Sequence, residues 1–317
     1  MHIVHGYSDL PEGLPAGPTL ALGNFDGVHR GHQAVIAAAR ESRPGAPLAV
    51  ATFDPHPRSF FTPDAPPFRL TRLPEKTRKL AALDVETCYV LPFDAALSAM
   101  TPGEFVQCVL VDALGVSAVT VGGDFRFGAK RAGNTATLET LGRAHGFAVT
   151  ALDTVADEEG ALYSSSSARA ALRGGHPLDA TAILGEPHRI RGIVEQGDQR
   201  GRTLSFPTAN LALDGILAPR FGVYAVEVEI MDGPHRGIVP GVANLGLRPT
   251  FEKTVPILEA HLFDFDGDLY GTEIAVALIG FIRDERKFDG LDTLKKQIAA
   301  DGQAARGIVS GPVTPQR

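Results

Sequence analysis

The feature that most constrains the fold is a change of hydrophobic pattern near Gly185-Glu186-Pro187. Ahead of it, short apolar runs at 19–25, 48–53, 87–91, 118–122 and 148–152 alternate with helical patterns at 31–42, 74–83, 102–114 and 135–145. Near-continuous apolar strands separated by helices predict a parallel sheet covered on both faces. Ligands of such sheets collect beyond the carboxyl ends of the strands. After the change, Val223-Tyr224-Ala225-Val226-Glu227-Val228-Glu229-Ile230 alternates as a half-buried antiparallel strand does. Further runs at 190–195, 237–244, 257–265 and 273–282, parted by turns such as Asp232-Gly233-Pro234, predict a small β-barrel. Leu291, Leu294 and Ile298 form one stripe of a final helix over 291–306, expected to pack across it. The expected fold class is α/β plus β, with domains at 1–184 and 185–309 and a disordered tail over 310–317.

A hydrophobic share of 44% is enough to fill two cores. The net charge of −7 argues against wholesale binding of nucleic acid or anionic membrane, although a nucleotide needs only a local positive site. Cys88 and Cys108 are too isolated for a disulfide framework or a thiolate metal cluster, and are expected to be small buried hydrophobes in a reducing compartment. The first residues lack the basic and apolar regions of a signal peptide, and the most apolar stretch, 274–282, is too short for a membrane span. The expectation is a cytoplasmic protein, monomeric or weakly homo-oligomeric, with no nucleic-acid or membrane partner.

In the first half, Gly23-Asn24-Phe25-Asp26-Gly27-Val28-His29-Arg30-Gly31-His32 joins an apolar run to a helix. A glycine-punctuated entry into a helix exposes unpaired N–H groups and a positive dipole end, which together make an anion site. His29 and His32 are three apart, so both can reach an anion held there. The loop from Gly122 to Arg131 holds Asp124, Phe125 and Phe127, whose aromatic faces suit a flat heterocycle, and Lys130 and Arg131, which suit phosphate; a solvated charged loop is the alternative. Thr52-Phe53-Asp54-Pro55-His56-Pro57 either walls a pocket or is a rigid turn. Ser165 and Ser166 suit a helix cap and phosphate donation equally, with Arg169 one turn on, placed for a leaving pyrophosphate. No Walker-type loop is present, which excludes a P-loop enzyme. An attacking phosphate is already an anion and needs no base, so a site that only stabilises charge fits nucleotidyl transfer.

In the second half, Gly201 lets the backbone of a Gly- and Arg-rich loop, with Arg202 beside it, approach phosphates closely. Thr208 and Asn210 flank Ala209 and face the same way on an extended backbone, offering hard oxygens to Mg²⁺. Alternation puts Glu259 and His261 on one face and Leu258, Ala260 and Leu262 on the other. Glu259 reads either as a solvent-facing strand residue or as the carboxylate that accepts a hydroxyl proton in phosphoryl transfer. Arg283 and Phe288 suit a ring or phosphate, or belong to a solvated charge run.

The segments G-N-F-D-G-V-H-R-G-H, T-F-D-P-H-P, G-G-D-F-R-F-G, S-S-S-S-A-R, G-R-T-L-S-F-P-T-A-N-L, G-V-A-N-L-G-L-R-P-T-F, E-A-H-L-F-D-F-D-G-D-L-Y-G and F-I-R-D-E-R-K-F occur in that order along nearly the whole chain. Together they resemble the prokaryotic bifunctional riboflavin kinase/FMN adenylyltransferase family, also called FAD synthetases. The resemblance implies a Rossmann-like nucleotidyltransferase module that transfers AMP from ATP to FMN, giving FAD and pyrophosphate. It implies a second module, a kinase that converts riboflavin and ATP to FMN and ADP, with Mg²⁺ at the ATP phosphates in both. By position, His29 and His32 match the transferase histidines, Ser165, Ser166 and Arg169 its second phosphate motif, Thr208 and Asn210 the kinase metal and ATP positions, and Glu259 the kinase base. Asn24, Phe25, Asp26 and Asp124 match nucleotide or flavin contacts of the first module, while Gly23, Phe125 and Phe127 in the first half and Gly201, Arg202, Arg283 and Phe288 in the second are further candidates for binding substrate or nucleotide by their residue types. The chain departs from the pattern at Ser167, where many members have Arg, and at Ser205, where Gly is usual. A chain retaining one activity, or a flavin-binding regulator without turnover, are the alternatives.

Overall fold

The computed structural model describes residues 1–156, 160–195, 208–249 and 254–311; Gly201, Arg202, Ser205 and most of the expected tail lie outside them. The chain forms two compact units, Met1–Pro66 with Arg72–Ser164, and Pro67–Thr71 with Ser165–Arg317.

In the first unit β1 (His2–His5), β2 (Thr19–Leu22), β3 (Leu48–Asp54), β4 (Thr87–Pro92), β5 (Ala118–Gly122) and β6 (Ala148–Leu152) form a sheet in the order β1-β4-β3-β2-β5-β6. Every pairing is parallel, as the apolar runs predicted. β1 escaped the sequence reading because only Val4 of its four residues is buried. The helices are α1 (Arg30–Ser42), α2 (Pro57–Phe61), α3 (Leu73–Ala81), α4 (Ala95–Ala99), α5 (Pro102–Glu104) and α6 (Thr135–His145). Both sheet faces are covered. Leu20 and Leu22 pack with Leu110 and Leu138 on one side, while Ala21 and Val50 pack with Ile36 and Leu80 on the other.

The helix expected over 102–114 begins as α5, but widens over Phe105–Ala113 into a π-helix in which Leu114 N donates to Val109 O, five residues back, at 3.0 Å. The wider turn suits a buried set spaced by four, Phe105 with Val109 and Val106 with Leu110. Cys108 lies on the outside of this turn and is exposed, contrary to expectation, whereas Cys88 in β4 is buried. Burial pushes the Cys88 thiol up to about 11, more than a nearby Lys76 charge lowers it. Its neutral form therefore stabilises the fold fully below the ordinary thiol range, and that contribution is lost as pH rises through about 11. Iodoacetamide at about pH 8 is expected to label Cys108 alone in the folded protein and both thiols in denaturant, as read by mass spectrometry.

In the second unit α7 (Ser165–Gly174) and α8 (Pro177–Leu184) pack Leu172, Ala180 and Leu184 against Leu70 and Leu217. The compact units thus part after Ser164, ahead of the change of pattern at 185. β7 (Arg189–Ile193), β8 (Ala209–Ala212), β9 (Gly222–Ile230), β10 (Gly237–Pro249), β11 (Thr254–Leu262) and β12 (Glu273–Arg283) form an antiparallel sheet in the order β7-β12-β9-β10-β11-β8. Glu195 N donates to Asn210 O at 2.9 Å and brings the two edges together as a barrel. Tyr224, Val226, Leu245, Leu258 and Ala260 fill its interior.

α9 (Leu291–Val309) covers part of the outer face, where Ala305 meets Val223, Ala225, Val242 and Phe263. The expected stripe starts too early: Leu291 is 66% exposed. The helix is anchored further along by Asp301, whose carboxylate takes Arg283 of β12 at 2.9 and 2.6 Å.

Candidate active sites

β3, β2 and β5 lie side by side, so the segments after them, 55–58, 23–29 and 123–134, leave the same edge of the sheet. From β2 the chain proceeds to β3 and β4 on one side and returns to β5 on the other; such a switch point opens a crevice. The turn after β2 is strained, with φ of 48° at Phe25 and 45° at Val28, both only 1% exposed. Strain of this kind persists only where the surroundings over-determine it.

His29 caps α1: its Nδ1 accepts from His32 N at 3.3 Å, and the two rings stack with centroids 3.6 Å apart. The Phe25 ring lies 5.1 Å from that of His32, and Asp26 is buried beside them in the turn. Gly31 is required here, since a Cβ would lie 2.8 Å from the Tyr163 carbonyl and 3.1 Å from the His29 ring. A stacked imidazole pair at the positive end of a helix is suited to holding an anion as charge shifts on it.

Gly23 N donates to Ala51 O at 3.1 Å and ties the turn to β3. Asp124 is exposed in the loop after β5 and Phe125 is half-buried. Phe127 packs in the core, its ring 5.8 Å from Phe105 and stacked on Phe125 at 5.6 Å, and Phe25 is likewise a core residue. An apolar ring with core neighbours on hand buries itself. Ser165 and Ser166 open α7 in the second unit. Arg169, in the same helix, donates Nε to Phe68 O at 2.8 Å and lies 5.2 Å over the Phe68 ring.

On the barrel, cross-strand register draws one line over three of the expected residues and two neighbours. Asn210 stands opposite Glu259, Glu259 opposite Asn244, Asn244 opposite Val223, and Val223 opposite Arg283. Directly opposed residues share a face with Cβ atoms about 5 Å apart. That face is the outer one, because Ala209, Leu211, Leu258 and Ala260 point into the core.

Asn210 is 4% exposed, and its Oδ1 is buried with no hydrogen-bond partner among the described residues. Buried acceptors are almost always satisfied, and an amide oxygen left over suits a hard cation. Thr208, two residues before it, is half-buried, as is Glu259. Arg283 commits its guanidinium to Asp301, and Phe288 lies 5.8 Å from it.

Sequence reading missed four polar residues beside these sites. Asn244 Nδ2 lies 3.5 Å from Glu285 Oε1, over Gly246, where a Cβ would collide with that carboxylate. Asn244 was detectable as a polar residue on the outward register of an apolar strand. Lys76 and Lys79 of α3 reach carbonyls of the turn after β2, and nothing in their spacing separates them from surface lysines.

The family model described as FAD synthetase matches residues 14–167, and that described as riboflavin kinase matches residues 184–309. A relative from Escherichia coli (strain K12), named bifunctional riboflavin kinase/FMN adenylyltransferase, is 42% identical over 308 residues, covering 96% of this chain and 97% of the relative. One of the same name from Bacillus subtilis (strain 168) is 38% identical over 314 residues, covering 96% of each. A solved structure described as a macrolide-efflux protein from Streptococcus pneumoniae matches with a TM-score of 0.85 at 32% identity, over 96% of this chain and 99% of that one. No helix among the described residues is long and apolar enough to cross a membrane. With both domains matched and whole-length relatives of one name, the chain belongs to the bifunctional riboflavin kinase/FMN adenylyltransferase family, the enzymes that phosphorylate riboflavin to FMN and adenylylate FMN to FAD with ATP.

Proposed function

We propose that the outward row on the barrel phosphorylates riboflavin and that the turn after β2 adenylylates FMN, within domains at 185–309 and 1–184. In the kinase step Glu259 accepts the proton of the riboflavin hydroxyl as its oxygen bonds to the γ-phosphorus and ADP departs. Thr208 and Asn210 hold Mg²⁺, which offsets the charge of the ATP phosphates. The observation that carries this reading is Glu259 directly opposite a buried Asn210 oxygen that has no hydrogen-bond partner among the described residues.

In the transferase step an FMN phosphate oxygen bonds to the α-phosphorus of ATP and pyrophosphate leaves. The attacking oxygen carries no proton, so His29, His32 and the end of α1 act on charge alone. Asn24, Phe25, Asp26, Asp124 and Phe125 contact nucleotide or flavin. The reading is of a cytoplasmic enzyme, monomeric or weakly self-associating, that works without nucleic acid or membrane.

Incubated with riboflavin, ATP and Mg²⁺, the purified chain is expected to accumulate FMN first and FAD later. Asn210→Leu removes the amide oxygen and is expected to raise the Mg²⁺ concentration for half-maximal FMN formation by roughly tenfold. The Mg²⁺ requirement of FAD formation from supplied FMN stays put. An unchanged Mg²⁺ requirement for the kinase would remove Asn210 from the metal site.

A further inference from the structure

We infer that Lys76 and Lys79 are positioning residues for adenylyl transfer, two buried ammonium groups that clamp the strained turn and put positive charge behind it. The inference rests on the assignment of that turn to the transferase step.

Lysines are almost never taken out of water unless acceptors await them, yet Lys76 and Lys79 are 7% and 6% exposed. Three residues apart on α3, they share a helix face. Lys76 Nζ donates to Asn24 O at 2.9 Å and to Thr52 Oγ1 at 3.0 Å. The Thr52 hydroxyl in turn donates to Asn24 O at 2.9 Å. Lys79 Nζ donates to Gly27 O at 3.0 Å. The neighbouring buried carboxylate, Glu75, is engaged by Arg78 at 2.8 Å.

The placement of these bonds is specific. The two clamped carbonyls belong to Asn24 and Gly27, the residues immediately ahead of Phe25 and Val28, the two non-glycine positions of the turn held at positive φ. A peptide unit is planar and trans, so a fixed carbonyl also fixes the N–H of the next residue on the opposite side. Each lysine therefore sets the orientation of a peptide that its own sequence would not choose. A chain of net charge −7 also gathers two cations beneath the turn that is to meet phosphates.

The test is steady-state kinetics of Lys76→Met, Lys79→Met and Thr52→Val with FMN supplied, with riboflavin phosphorylation by the same preparation as internal control. KM does not depend on how much of the protein is folded, so it separates positioning from folding. Each Lys→Met is expected to raise the transferase KM for ATP about tenfold, and Thr52→Val about threefold, with the kinase KM unmoved. Lys76→Arg and Lys79→Arg, which keep the charge, recover part of the loss. If the methionine variants do not fold, Thr52→Val decides. An unchanged transferase KM, alongside a His29→Ala enzyme that has lost FAD formation, overturns the inference and leaves the turn's assignment standing. A His29→Ala enzyme with full FAD formation overturns the assignment itself.

Discussion

Replacing Glu259 by Gln is expected to lower the kcat of riboflavin phosphorylation by about 10²–10⁴-fold, the usual contribution of a positioned proton acceptor. The substitution keeps shape and hydrogen-bonding capacity while removing the basic oxygen. Its surroundings are well suited to so clean a change. β11 is paired over most of its length to β10, and Glu259 itself lies between Asn210 and Asn244, two amides that tolerate an amide between them. KM for riboflavin is expected to hold, and FAD formation from supplied FMN to continue. Chromatographic separation of riboflavin, FMN and FAD over time reads both activities in one tube. Kinase turnover at the parent rate would mean that Glu259 is not the base.

The complementary result is expected of His29→Ala: FAD formation falls by about 10²–10³-fold, as when one preorganised charge-stabilising group is lost, and FMN accumulates. The variant also loses the bond from His32 N and the stacked ring, and a lost N-cap costs about 1 kcal/mol. His29→Asn restores a capping oxygen without the imidazole, so it separates the two losses. If Asn regains stability but not FAD formation, the ring is what the chemistry needs. Equal loss of FMN and FAD formation in the Ala variant would instead mean a shared site or a misfolded chain.

The parallel sheet, the barrel and the alternation along each strand were legible because each rests on a local rule, whereas Asn210 opposite Glu259 is a matter of register between distant strands. Strand period tells which residues face together, and Leu258, Ala260 and Leu262 went inward as alternation required. Residues singled out by type alone have partners that no local rule supplies. Phe127 reads as a ring contact because aromatic rings suit heterocycles, and the core neighbours it also has come from distant strands and helices that spacing does not reveal. Arg283 likewise sits on the outward row, yet its bidentate partner Asp301 is supplied by a helix eighteen residues on. Lys76 and Lys79 were silent for the same reason: their acceptors lie fifty-two residues away, across a fold that must exist first.

Asn210 stands on the last strand of the sheet, and its backbone carbonyl is what Glu195 grasps where the ring of strands meets itself. Elsewhere neighbouring strands share several rungs; at this seam the described residues share one. Segments held by few bonds open at the least cost. On the proposed role of Asn210, a nucleotide bound there adds its binding energy at the pairing with the fewest rungs among the described residues. Occupancy and wholeness of the kinase half become a single equilibrium, tightened in proportion to the logarithm of ligand concentration.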